Sequence, residues 1–192
     1  MRIVICGTPG VGKHTISTEI SKMLNGMPII DINKIILSNH YFIPSNSDEV
    51  DLLKTFNMIK IILSEKKYKD AIMVGHLAPY VLDSSLTDFI IVLRRHPNEL
   101  KKIYEMRTYS ESKTSDNLMS EILGIISYDA LLKFGKFNIA EIEIKENILP
   151  MVYAQKIIDM YKNKFLREFG VIDWLSTIQK DPQMIKFYYN ED

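Results

Sequence analysis

Seven residues near the start of this chain limit what it can fold into more than any others. Gly7-Thr8-Pro9-Gly10-Val11-Gly12-Lys13 fits the pattern G-x-x-x-x-G-K. The apolar run Arg2 to Cys6 precedes it and suits a buried strand of a parallel sheet. After it, Ile16, Ile20, Met23 and Leu24 recur at helical spacing from Lys13 to Leu24, and Asn25-Gly26 ends the pattern with a left-handed cap. A glycine-rich turn between a strand and a helix lets consecutive backbone N–H groups converge on phosphate oxygens. The helix adds the positive end of its dipole, and Lys13 places an ammonium across the β- and γ-phosphates. Gly7, Gly10, Val11, Gly12, Lys13, His14 and Thr15 are therefore the candidate nucleotide-binding residues. The pattern departs from its usual form at the next position. Ser or Thr would give magnesium a hydroxyl ligand there, but this chain has His14, and imidazole suits magnesium poorly. The His14 N–H can still hold phosphate, and Thr15 can offer its hydroxyl to the α-phosphate.

The rest of the chain alternates strand and helix patterns. Strands are predicted at Pro28 to Ile32, Asp70 to Val74, Phe89 to Leu93 and Asn138 to Lys145. Helices are predicted from about Asp48 to Ser64 with Ser47 as cap, Pro97 to Met106, Asp116 to Phe134 with Ser115 as cap, and Pro150 to about Phe165. Arg107 to Thr114 is polar and breaks the pattern, and Val171 to Ile178 is a last amphipathic piece carrying Trp174. Such an alternation implies an α/β fold, a mostly parallel sheet with helices on both faces, whose ligands bind beyond the carboxyl ends of the strands. No repeat or linker divides the 192 residues, so one domain over 1–192 is expected.

Composition closes off other classes. Lys plus Arg and Asp plus Glu are 24 each, and the pI is near 6.9, so strong nucleic-acid binding by surplus positive charge is not expected. One cysteine, Cys6, excludes an intrachain disulfide and fits a reducing, cytoplasmic setting. No apolar run approaches the ~20 residues that span a bilayer.

Downstream motifs narrow the reading. Ile90-Ile91-Val92-Leu93-Arg94 is followed by Arg107-Thr108-Tyr109-Ser110-Glu111-Ser112-Lys113-Thr114-Ser115-Asp116-Asn117 and then Glu121. With the loop at 7–15 and Gly75-His76-Leu77, this resembles the P-loop nucleoside monophosphate kinases, and within them the adenylate kinase isoenzyme 6 (coilin-interacting nuclear ATPase type) family with its archaeal relatives. The resemblance implies a three-layer P-loop NTPase core, an NMP-binding insertion at about 30–53 and a lid at about 106–116. It implies transfer of a phosphoryl group from ATP to AMP, with magnesium and with ATPase activity alongside. It also implies, as an alternative, a slow ATPase that serves small ribosomal subunit maturation by binding a platform ribosomal protein. The family's acidic residue two positions before the loop histidine is absent, since Val74 stands there. With His14, both usual magnesium anchors are missing, and Asp31, Asp70 and Asp83 are the remaining acidic candidates.

Four residues are candidates for catalysis. Lys13 and Arg107 would neutralise charge on the transferred group, Arg107 from the lid, because a guanidinium fork matches phosphate. Arg94, at a strand end on the rim, is expected to face phosphate. His76 is expected to position a water or to act as acid or base. Lys113 could add charge from the lid, Asn33 could meet AMP, and His40 and Tyr41 read as surface residues.

Overall fold

The computed structural model describes residues 1–43 and 46–180, apart from the side chains of 46–48. Five parallel strands form the sheet: β1 (Arg2–Cys6), β2 (Ile29–Asp31), β5 (Ala71–Val74), β6 (Phe89–Arg95) and β7 (Ile139–Ile144), in the order β2-β5-β1-β6-β7. β1 lies at the centre, with Ile3 opposite Ile72 on one side and opposite Phe89 on the other. The chain first turns toward β2 and later crosses to β6, so the carboxyl end of β1 lies at the switch point where such sheets bind ligands.

Side-chain parity divides the core in two. Ile3 and Ile5 of β1 and Phe89, Ile91 and Leu93 of β6 pack beneath α1 (Lys13–Met23), α5 (Pro97–Met106) and α8 (Pro150–Lys162). Val4, Cys6, Ile90 and Val92 face the other way, toward α2 (Ile32–Asn39), α3 (Leu52–Ser64), α4 (Ala78–Val81) and α7 (Ile125–Phe134). Burying both faces explains why the strands read as unbroken apolar runs. Each fully buried Ile, Leu or Phe contributes roughly 1.5–3 kcal/mol.

Several boundaries differ from expectation. Residues 30–53 carry an unpredicted helix, α2, and a small antiparallel hairpin, β3 (Phe42–Ile43) with β4 (Asn46–Val50). Helix α3 starts at Leu52, not Asp48, because Asp51 accepts the Lys54 N–H as its cap; the Ser47 side chain lies outside the described residues. Tyr41 is half-buried against the second core rather than on the surface. The predicted helix 116–134 is two helices, α6 (Glu111–Ile122) and α7, parted by Gly124 at φ 65°. Ser110 caps α6 through the Lys113 N–H, so residues 111–114 are helical and Ser115 is not a cap. The last described element is α9 (Trp174–Gln179), which packs Ile178 against Ile122 of α6. Among the described residues no helix is long and apolar enough to cross a membrane.

Candidate active site

The loop between β1 and α1 has its shape fixed from several directions. Gly7 holds φ 129°, and a Cβ there would lie 2.3 Å from the Leu93 carbonyl oxygen, so only glycine lets the loop pass the end of β6. The Tyr104 hydroxyl on α5 donates to the Pro9 carbonyl at 2.5 Å. Lys13 is 6% exposed, and its ammonium donates to the carbonyls of Gly7 (2.8 Å) and Thr8 (2.9 Å). Burial pulls its pKa down to about 8, with Arg107 pushing the same way and Cys6, Glu121 and Asp31 opposing. The cation thus sits on its own loop, and an anion delivered to the helix end would take over those contacts.

Above the loop opens a cavity of about 560 Å³. Its floor is Gly10, Gly12, Lys13, His14 and Thr15, and its far wall is Arg107, Tyr109, Lys113, Asp116 and Asn117, from the end of α5 and the first turns of α6. Asn33 of α2 and His76 after β5 close the sides. Lys13, Arg107, Lys113 and His76 therefore share one cavity with the loop's amide-bearing face. An aromatic chain links its two walls: Lys113 Nζ lies 4.3 Å from the Tyr109 ring centroid, and Tyr109 stacks on Tyr104 at 5.3 Å. Tyr104 and Tyr109 are the residues that sequence reasoning missed here; their five-residue spacing carries no helical signal across the turn at Thr108.

Burial, then the charges of Lys13 and Lys113, push the His76 pKa down to about 4. At neutral pH its ring is uncharged, so it can donate or accept one hydrogen bond but cannot act as a cationic acid. The possible metal anchors separate by place. Asp70 pairs with the N-terminal ammonium near the amino end of the sheet, and Asp83 caps a turn beside Lys60. Of these three, Asp31 stands near the loop: its Oδ1 caps α2 and its Oδ2 lies 3.7 Å from His14 Nδ1. Among the described residues no cluster of three or more His, Cys, Asp or Glu side chains could hold a metal ion. Imidazole at His14 and an alkyl group at Val74 offer no hard oxygen at the two usual anchor positions, and the carboxylates beside the loop include Asp31 and Asp116.

Arg94 requires a correction. It does not face the cavity; it is 4% exposed and points, by strand parity, to the α7 side of the sheet. Its Nε donates to Glu121 Oε1 (2.8 Å), and one terminal nitrogen to Glu141 Oε1 (2.9 Å) and Ser127 Oγ (3.2 Å). The other terminal nitrogen donates to the Glu121 carbonyl (2.7 Å). A guanidinium enclosed by two buried carboxylates is a structural cation, out of reach of phosphate.

The family described as "AAA domain" matches residues 3–124. A "Putative adenylate kinase" of Methanocaldococcus jannaschii is 33% identical over 176 residues, covering 91% of this chain and 93% of that protein. One of the same name from Sulfurisphaera tokodaii is 32% identical over 182 residues, covering 92% and 87%. Among solved structures, the shikimate kinase from Acinetobacter baumannii in complex with shikimate superposes with a TM-score of 0.60 at 17% identity, covering 86% of this chain and 95% of that one. That from Bacteroides thetaiotaomicron gives 0.59 at 19%, covering 84% and 98%. At such identities these structures speak for the fold: a three-layer α/β P-loop core.

Proposed function

We propose that this chain, which belongs to the AAA-domain family and stands among the P-loop nucleotide kinases, is an adenylate kinase that moves the γ-phosphoryl group of ATP to AMP. The observation that carries the reading is the convergence of Lys13, Arg107 and Lys113 on a cavity floored by the glycine loop. Phosphoryl transfer asks mainly for positioning and neutralisation of charge, and three cations around an amide-lined loop supply both. The names carried by the archaeal relatives support ATP and AMP as the substrate pair.

In this reading ATP lies with its β- and γ-phosphates on Gly7 to Thr15, and Lys13 exchanges its loop carbonyls for phosphate oxygens. Magnesium arrives as part of the ATP substrate, held by phosphates and water. Residues 30–53 form the insertion that receives AMP, with Asn33 at its edge. Residues 106–116 form the lid, and Arg107 and Lys113 close with it over the transferred group. An AMP phosphate oxygen is already anionic and attacks in line without a strong base. Closure excludes water, so that AMP is phosphorylated in preference to hydrolysis. Neutral His76 donates one hydrogen bond to a phosphate oxygen or its water.

A second reading, an ATPase acting in ribosomal assembly, is favoured by His14 and Val74 at the two positions where metal anchors usually stand. An assay of ADP formed from ATP, with and without AMP, separates the two. The kinase shows strong stimulation by AMP and two ADP per ATP consumed. Hydrolysis indifferent to AMP supports the ATPase and overturns the transferase. Turnover no faster than that of Lys13→Ala overturns both.

A further inference from the structure

The carboxylate of Glu121 stands 1% exposed on α6, one helical stretch beyond the residues that line the cavity. Its Oε2 accepts the Thr8 hydroxyl of the phosphate loop at 2.6 Å. Its Oε1 accepts three donors: Arg94 Nε (2.8 Å), the Arg95 backbone N–H (3.1 Å) and the Trp174 indole N–H (2.9 Å). One carboxylate on α6 thus joins the nucleotide loop, the end of β6 and helix α9. The indole belongs to a segment that lies beyond the residues matched by the AAA-domain family. It is 6% exposed, lies edge-on to His96 at 5.2 Å, and its helix is fixed by the Asp173 cap and by Ile178 on Ile122.

From this geometry we infer that Glu121 and Trp174 are positioning residues for nucleotide binding. Trp174 fixes the Glu121 carboxylate, and the carboxylate fixes Thr8 and with it the loop amides. Thr8 is 2% exposed, and its hydroxyl has this one carboxylate as partner among the contacts of the described residues. A carboxylate tied at three points on one oxygen presents the other in a single place, and a hydrogen bond to a charged group is among the stronger tethers available. Without the indole, Oε1 keeps only the donors of β6, and the carboxylate can rotate away from Thr8. Helix α9 therefore belongs to the nucleotide site through Glu121.

The inference rests on the reading above only in taking ATP as the loop's ligand, and it is independent of the acceptor. The test is a double-mutant cycle of Thr8→Val and Trp174→Phe, read as ATP affinity by calorimetry. Each single variant weakens ATP about tenfold, and the pair together also about tenfold, because both break the same path. A hundredfold loss in the pair shows independent action and overturns the relay. So does a Trp174→Phe protein that melts earlier yet binds ATP as before. Glu121→Gln keeps an oxygen for the indole and guanidinium and an N–H for Thr8 Oγ1, and holds affinity within about threefold, where a mere loss of charge would not. Hydrogen exchange needs no ligand: the amides of residues 7, 8 and 10–12 exchange about tenfold faster in nucleotide-free Trp174→Phe if the relay holds, and unchanged if it does not. Wild-type protein that binds no ATP refutes the kinase reading, while the exchange result still decides the relay.

Discussion

Replacing Arg94 by Met separates a structural cation from a catalytic one. The side chain makes four hydrogen bonds, to Glu121 Oε1, the Glu121 carbonyl, Glu141 Oε1 and Ser127 Oγ, at 2.7–3.2 Å. Both carboxylates are nearly inaccessible, Glu121 at 1% and Glu141 at 4%. Methionine fills much of the space but leaves two like charges buried without their counterion. Breaking a buried pair in this way costs about 3–5 kcal/mol, against a total stability of roughly 5–15 kcal/mol for a domain. With a urea dependence of about 2–3 kcal/mol per M, the unfolding midpoint drops by about 1–2.5 M. Neutralising the partners as well, in Arg94→Met/Glu121→Gln/Glu141→Gln, removes the buried charge and recovers most of that loss. Chemical denaturation followed by circular dichroism measures all three proteins. A midpoint shift below about 0.5 M, together with abolished phosphoryl transfer, would refute the structural assignment and return Arg94 to the phosphates.

Three more perturbations follow from the same site. Gly7→Ala puts a Cβ 2.3 Å from the Leu93 carbonyl oxygen at φ 129°, costs at least about 1–3 kcal/mol and weakens ATP more than tenfold, as thermal melts and calorimetry report; wild-type behaviour would disprove the loop geometry. Lys13 holds a folded pKa of about 8 against 10.5 ordinarily, so the unfolded chain keeps that proton longer and stability rises as pH climbs from about 8 to 10.5. Phosphate restores the charge, so ATP binding at pH 8.5 takes up most of a proton, measured as a dependence of the binding heat on buffer ionisation. His76 has a folded pKa of about 4 against 6.5. The unfolded state binds its proton first, so about 3 kcal/mol of stability disappears as pH falls from 6.5 to 4, and His76→Asn flattens that slope.

The glycine loop was legible because everything it needs lies within fifteen residues: strand, turn, lysine and helix. The apolar runs of β1, β5 and β6 were legible because each strand is buried on both faces. Arg94 was not, because its partners are 27 and 47 positions away and a strand-end arginine looks the same whether it meets phosphate or carboxylate. Ser47 reads as a cap from the letters alone, whereas Asp51 accepts the Lys54 N–H and starts the helix at Leu52. Gly124 reads as an ordinary helix interior until α6 must turn to place Glu121 under the loop. Local chemistry is written in neighbouring letters, whereas a buried polar network is written across the whole fold.

The chain has a single tryptophan, and its indole shares a carboxylate with Thr8. Any displacement of that oxygen alters the dielectric surroundings of one identifiable chromophore. Excitation at the red edge, where the ten tyrosines are silent, then times the filling and emptying of the nucleotide loop by emission alone, with no dye attached to the protein.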